Sequence, residues 1–523
     1  MILILVGGVV VSNWLEILSF DLGSSKKKIF LSDSLLSFSP IPKGMRICLN
    51  DVTFCTRWMQ TRFPFRYGIA AMTELPHVFL SAKVTIDEVE IVGLASEGLP
   101  PKWFTKNPET TFEQDLPEML QAIEQAVKFG RVVEEDSLFA WWQKVYSKQD
   151  AWADENCVPP LLAHLGTSLI ERAMIDAVCR FGGSSFAEAV KSNVFGIDLS
   201  TIHSELTGTE PSDWLGNPEN SVIARHTIGL GDPLTAPEIP EEDRADDPLP
   251  QALVDAIDAY GLTHFKVKIC GNLEVDVPRL ERLAKIFTEK VPSYRLTLDG
   301  NEQYRSLAQF REHWEAYLER PALRKFLSPE HLIFVEQPMH RDDALKDSVK
   351  EGFDSWAEAP PMIIDESDAE LTSLRRALEL GYRGTSHKNC KGVFKGLANR
   401  CLVEWYRRER PEERWLMSGE DLANVGPVAL LNDLEVMAAL EIGDVERNGH
   451  HYFKGLSMFP HSVQEKVATV YPGLYTMREE GYASLQIRDG RLDVGMLSGS
   501  GFGCAIDFDL DELGRAGLPD REE

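Results

Sequence analysis

His264-Phe-Lys-Val-Lys-Ile-Cys-Gly271 and Tyr294-Arg-Leu-Thr-Leu-Asp-Gly-Asn-Glu-Gln-Tyr304 are the two stretches from which the fold follows. Each opens as a short strand-like run, and a helical stretch, Pro278–Glu289, lies between them. Side chains alternate along a strand, so Lys266 and Lys268 share one face. The second run, Tyr294–Leu298, leads directly into Asp299 and Asn301. Two ammonium groups on one strand and a carboxylate at the end of the next describe a polar site at strand ends.

The arrangement recurs. His331–Val335 ends in Glu336, Met362–Ile364 ends in Asp365 and Glu366, Tyr382–Ser386 leads to Lys388, and Trp415–Met417 leads to Glu420. From Lys268 the steps are 31, 37, 29, 23 and 32 residues. Amphipathic helical stretches fill the gaps at Leu307–Leu318, Leu371–Leu380 and Phe394–Arg408. A repeat of roughly 30 residues with chemistry at the C-terminal strand ends is the signature of a (β/α)8 barrel. The sequence therefore predicts an α/β fold, a modified TIM-type barrel of (β/α)7β form, whose charged groups converge on one mouth.

Composition narrows the function. The chain has 523 residues, with 82 acidic against 54 basic side chains and a net charge of −28. No basic stripe offsets that charge, which argues against nucleic acid and anionic membrane as partners. The eight cysteines form no CxxC pair, so reduced thiols and a cytoplasmic location are expected. Met1–Val11 is apolar but too short to span a bilayer, and it lacks the flanks of a secretory signal. Residues 1–44 read as an extension outside the fold, or a loosely attached arm, with Met45 a plausible start.

The remaining boundaries are expected at 45–215 for an α+β capping domain, 216–450 for the barrel, and 451–523 for a segment returning to the cap. Ile47–Arg57 and Val78–Val92 read as strands with a loop at Thr61–Gly68 between them. Pro108–Lys128 and Leu161–Phe181 read as helices, the second stopped by Gly182-Gly183. Ser221–Gly229 is the expected first barrel strand, followed by an acidic, proline-rich loop at 232–250 and a helix at Gln251–Tyr260. Asp489-Gly490 marks a hairpin turn in the tail.

Asp299, Glu336 and Asp365 are hard oxygen donors from successive strand ends, a set suited to Mg²⁺, with Mn²⁺ as the alternative. Lys266 beside Lys268 is expected to depress the proton affinity of the latter and make it a usable base. Lys388 would approach from the other side of the barrel axis. A metal holding a carboxylate, with a base on each face of its α-carbon, is suited to abstracting the α-proton while the metal stabilises the enediolate.

These motifs, in order, resemble those of the enolase superfamily, muconate lactonizing enzyme subgroup. Lys266-Val-Lys268, Asp299-Gly-Asn301, Glu336-Gln-Pro338, Asp365-Glu-Ser367 and Lys388 match its pattern. Arg62-Phe-Pro-Phe-Arg-Tyr-Gly68 resembles its substrate-covering loop, Ile170-Glu-Arg-Ala-Met-Ile-Asp176 its helix before the barrel, and Asp489-Gly-Arg-Leu with Ser500-Gly-Phe-Gly503 its closing strands. The resemblance implies Mg²⁺ on Asp299, Glu336 and Asp365, and acid/base roles for Lys268 and Lys388 with Lys266 beside them. It implies substrate contact or support from Asn301, Glu366, Glu420 and Arg62, with Glu420 at the end of the eighth strand. It also implies a small carboxylate substrate and a homo-oligomer.

The chain departs from the pattern in three places: the long step from Asp299 to Glu336, with an insertion around Pro321–Glu330; Asn-Cys-Lys-Gly-Val after Lys388; and the long 232–250 loop. They bear on the substrate more than on the chemistry. His387 should face away from the mouth by strand alternation, and His450, His451 and His461 show no ligand spacing. Racemisation or epimerisation, cycloisomerisation, and syn-dehydration as in o-succinylbenzoate synthase all fit. A non-catalytic barrel binding a metal or metabolite is the reading from another class.

Overall fold

An antiparallel sheet opens the computed structural model, which describes residues 44–499 and 501–519. Residues 1–43 of the expected extension, and Ser500 of the tail motif, lie outside the described residues. The sheet contains β1 (Ile47–Tyr67), β2 (Ala70–Ile86) and β3 (Val89–Gly98). Two expectations fail here. Thr61–Tyr67 is strand rather than loop: the register slips between the Gln60–Glu74 and Phe65–Met72 pairs, and Pro64, with no N–H to give, sits in the interrupted stretch. The run Val78–Val92 is two strands, because Asp87 (φ 46°) and Glu88 (φ 74°) both take left-handed backbone and close a two-residue turn.

Three helices cover this sheet: α1 (Phe112–Arg131), α2 (Leu138–Asn156) and α3 (Pro160–Gly182). Every residue of α3 from Leu161 to Cys179 is buried. Gly93 lets α3 lie directly on β3, since a Cβ there would stand 1.9 Å from the Ala173 carbonyl oxygen.

The barrel has eight parallel strands: β4 (Ser221–Ile228), β5 (His264–Lys268), β6 (Arg295–Asp299), β7 (Leu332–Glu336), β8 (Met362–Ile363), β9 (Gly384–His387), β10 (Leu416–Gly419) and β11 (Asp444–Arg447). β11 pairs with β4, and an Ile364–Thr385 bridge closes the cylinder between β8 and β9. The outer helices are α4 (Leu253–Tyr260), α5 (Leu273–Lys290), α6 (Leu307–Leu318), α7 (Asp347–Asp354), α8 (Ser373–Leu380), α9 (Val393–Glu409) and α10 (Ala429–Ala439). α6 has the expected limits because Ser306 caps it, accepting from the Gln309 N–H. α5 starts five residues before the expected Pro278, where the Asn272 side chain accepts from Glu274 N–H. The insertion before β7 holds a one-turn-and-a-half helix, Pro321–Phe326.

Glu420 follows the seventh barrel strand, not the eighth; the eighth is β11, which carries Glu446. The tail also differs from expectation. Asp489 and Gly490 form the turn, with an Arg488–Arg491 bridge across it. The returning strand Arg491–Asp493, however, adds antiparallel to β4 of the barrel. Only later does the chain reach the cap, where Phe502 N–H donates to Asp176 and Arg515–Ala516 pairs with β1. All eight cysteines are unpaired. Among the described residues no helix is long and apolar enough to cross a membrane.

Candidate active site

Strand register builds the site. Lys268 pairs with Asp299, and Asp299 with Glu336, so three consecutive strands present their last residues in one row. Asp365 follows β8 by two residues, while Lys388 and Glu420 directly follow β9 and β10. All of these side chains are at least nine-tenths buried.

Lys266 sits at the centre. Its Nζ lies 2.7 Å from Glu336, 2.9 Å from Glu420, 2.9 Å from Glu446 and 3.1 Å from Asp299. Burial alone would favour the neutral amine, but the four carboxylates outweigh it and hold the ammonium well above its ordinary pKa. Lys266 thus meets Lys268 within one carboxylate-bound cluster, with Asp299 Oδ2 held by both ammonium groups. Lys268 Nζ donates to Asp299 Oδ2 at 2.8 Å and Asn301 Oδ1 at 2.9 Å. The Asn301 N–H in turn holds Asp299 Oδ1 at 2.8 Å.

Lys388 stands on the far side, four strands along the barrel wall. Its Nζ donates to Asp365 Oδ1 at 2.6 Å and Glu420 Oε2 at 2.7 Å, and lies 5.4 Å from the centroid of Trp103 of the cap segment. Burial opposes its charge, yet Asp365 and Glu420 raise its pKa. Burial also opposes ionisation of Asp365 and Glu420; Lys388 and Lys391 hold the first low, and Lys266, Lys388 and Arg225 hold the second low. Glu336 goes the other way, pushed well up by burial and then by Glu420.

Oxygens of Glu336, Asp365 and Glu420 lie within 4.8 Å of one another. Asp299 joins this group through Lys266, which bridges it to Glu336. Glu336 Oε2 is buried without a hydrogen-bond partner. A buried set of hard oxygens with one acceptor open fits a divalent cation such as Mg²⁺.

A cavity of about 440 Å³ opens above this cluster. Lys266, Lys268, Asp299, Asn301, Asp365 and Lys388 form its floor. Phe65, Tyr67, Met72, Pro100 and Trp103 of the cap, with Leu422, form its roof. Arg62 and Glu366 are not brought to it. Arg62 spends its donors on Asp247, the Leu249 and Pro250 carbonyls and the His451 carbonyl, and so pins the 232–250 loop to the cap. Glu366 is buried beside the site, with its pKa pushed up to about 8 by burial and then by Glu302 and Asp365. His387 is buried and bonds Asn389, away from the cavity.

Three contributors escaped the sequence reading. Glu446 lies on a four-residue strand whose one aliphatic side chain is Val445, too short a pattern to register. Lys391 resembles an exposed lysine at a helix start, but its Nζ donates to Ser386 and to Asp365. Arg225, mid-strand on β4 and remote from any strand end, donates to Glu420 at 3.3 Å from below.

No protein-family model matches the sequence, and no curated protein matches it. Solved structures do. An N-succinyl Arg/Lys racemase from Bacillus cereus aligns at TM-score 0.56 and 14% identity, covering 89% of this chain and 97% of its own. A mandelate racemase/muconate lactonizing protein from Herpetosiphon aurantiacus aligns at 0.54 and 16%, covering 87% and 98%. A dipeptide epimerase from Enterococcus faecalis, complexed with Mg and the dipeptide L-Leu-L-Tyr, aligns at 0.55 and 15%, covering 87% and 99%. The chain has the fold of the enolase superfamily, a parallel barrel with an antiparallel capping sheet over its mouth.

Proposed function

We propose that the protein is a Mg²⁺-dependent enzyme that abstracts the proton α to a carboxylate, with Lys268 and Lys388 as the acid/base pair and Asp299, Glu336 and Asp365 as the metal residues. One observation carries the reading: two lysines from strands on different sides of the barrel border one buried cavity together with Asp299 and Asp365. Bound Mg²⁺ supplies the positive charge against which negative charge develops on the substrate carboxylate. In each direction one lysine, as the neutral amine, takes the α-proton at its Nζ and becomes the ammonium, while the other, as the ammonium, returns a proton from the opposite face. Asn301 holds the Lys268 ammonium in line, and Glu420 does the same for Lys388. The cap residues cover part of the cavity, and a substrate that displaces its water would strengthen the charge interactions beneath them.

The roof also bears on substrate. Cations of the two covering segments are engaged elsewhere: Arg62 with Asp247, Arg66 with Asp243, Lys102 with Asp115 and Lys106 with Glu302. What these two segments present to the cavity is aromatic and aliphatic, while Asp421 and Asn448 line its wall from the barrel. The reading is a compact carboxylic acid with an uncharged, apolar group on its α-carbon, undergoing racemisation, cycloisomerisation or dehydration.

Deuterium incorporation from D2O, with and without Mg²⁺, tests this on a panel of aryl- and alkyl-substituted α-hydroxy and N-acyl amino acids beside charged analogues. Exchange is expected with the apolar members, lost on chelation, and reduced at least about a hundredfold in Lys268→Ala and in Lys388→Ala. Full exchange in either variant would remove that lysine from the mechanism.

A further inference from the structure

The opposite end of the barrel holds a second cavity, of about 780 Å³, beside the N-terminal ends of the strands. No residue lines both this cavity and the mouth. Five arginines line it, Arg225, Arg295, Arg400, Arg407 and Arg414, against two carboxylates, Glu441 and Asp444. Such a concentration stands out in a chain of net charge −28.

The available acids are taken. Asp444 and Glu420 pair with Arg225, Glu404 is shared by Arg400 and Arg407, and Glu441 lies 3.7 Å from Arg400. Arg295 and Arg414 are left over. Among the described residues neither side chain donates a hydrogen bond or pairs with a carboxylate, and the buried Nε of Arg295 has no partner. The Nε of Arg225 is likewise unpartnered, in a side chain that is fully buried. Arg414, exposed at the rim, has its pKa lowered by burial and then by the Arg295 guanidinium, with Asp444 acting the other way from its pairing with Arg225, so the two cations are close enough to repel. The buried Nε donors of Arg295 and Arg225 carry a desolvation cost that an anion would offset, and the exposed Arg414 adds a further positive charge at the rim. Their planar forks match the oxygens of phosphate and carboxylate alike. The remaining wall is mainly apolar, with Ile333, Phe334, Leu416, Met417 and Ile442, and carries His264 and Ser418 among them.

We propose that this basal cavity binds a small oxyanion carrying two charges, of the phosphate or dicarboxylate class, through Arg295 and Arg414 with Arg225 behind them.

Calorimetric titration of the full chain with sulfate, phosphate and succinate, each against chloride at equal ionic strength, tests it. The dianions should bind the wild type and Lys388→Ala with the same affinity, and the Arg295→Gln/Arg414→Gln double variant at least about tenfold more weakly. Preference for sulfate and phosphate assigns the phosphate class, and preference for succinate the dicarboxylate class. In chloride alone the double variant should melt at or above the wild-type temperature, because it removes a repulsion. Binding no stronger than chloride would overturn the proposal. So would binding lost in Lys388→Ala but kept in the double variant, which would place the anion at the mouth. A lowered melting temperature in the double variant would show that these arginines hold the fold, and would also overturn it.

Discussion

Lys266 touches carboxylates from four strands, and removing it leaves Asp299, Glu336, Glu420 and Glu446 facing one another in a buried space. Breaking a buried charge cluster by deleting one partner costs about 3–5 kcal/mol. Lys266→Met should therefore lose stability by roughly that amount in metal-free buffer. Divalent cation should restore more of it in the variant than in the wild type, where Lys266 already supplies a positive charge. Thermal melts with a Mg²⁺ titration measure this, and equal responses in the two proteins would argue against a cation site among these acids. Asp299→Asn addresses the ligand set itself. It removes a charge next to Lys266 and Lys268 and should weaken Mg²⁺ binding at least about tenfold by calorimetry. An unchanged affinity would shift the third ligand to Glu420, whose oxygens already lie within 4.8 Å of those of Glu336 and Asp365.

Within the cap the sheet and α3 come closest at Gly93, where a Cβ would stand 1.9 Å from Ala173 O and 2.8 Å from Ala177 N. Both are backbone atoms of a fully buried helix, so neither can rotate away. Gly93→Ala should cost about 1–3 kcal/mol by chemical denaturation, and a neutral result would mean α3 has room to move. That contact was invisible in the sequence, where Gly93 is one small residue in a strand. The barrel was legible because six of its strands end at or beside a charge, and a charge recurring at strand ends has few alternative explanations. Elements that lack that mark were missed. The Asp87-Glu88 turn contains no Gly or Asn to signal left-handed backbone, so two strands read as one. Thr61–Gly68 reads as a loop in the sequence, although β1 accommodates Pro64 by slipping register. β11 has too few apolar side chains to show a period, so Glu446 was lost and Glu420 was assigned one strand too late. Arg62 carried the right element but the wrong partner, because the acid that holds it, Asp247, is 185 residues away.

The whole molecule carries a net charge of −28, and part of its acid is buried where ionisation is unfavourable. Glu435, on α10 between the barrel and the Phe186–Lys191 helix, is one such group outside the active site. Burial pushes its pKa up to about 8, against the backbone N–H groups of Ala187 and Phe186 that favour the charged form. Its Oε1 has no hydrogen-bond partner. A carboxyl with a raised folded pKa binds more protons in the native state than in the unfolded one, so stability falls as pH rises across the interval between the two values. That interval runs from the ordinary glutamate value of about 4.5 to about 8. Glu435→Gln keeps the acceptor for the backbone amides and places an NH2 group, in place of an ionisable oxygen, at the unpartnered position. Denaturation at a series of pH values should show the wild type losing stability relative to Glu435→Gln between pH 5 and 8, by at least about 1 kcal/mol. Below pH 4.5 both forms of residue 435 are neutral, so the two curves should run parallel there. Curves that stay parallel through pH 8 would show that Glu435 is ionised in the folded protein throughout, its charge carried by the Phe186 and Ala187 amides.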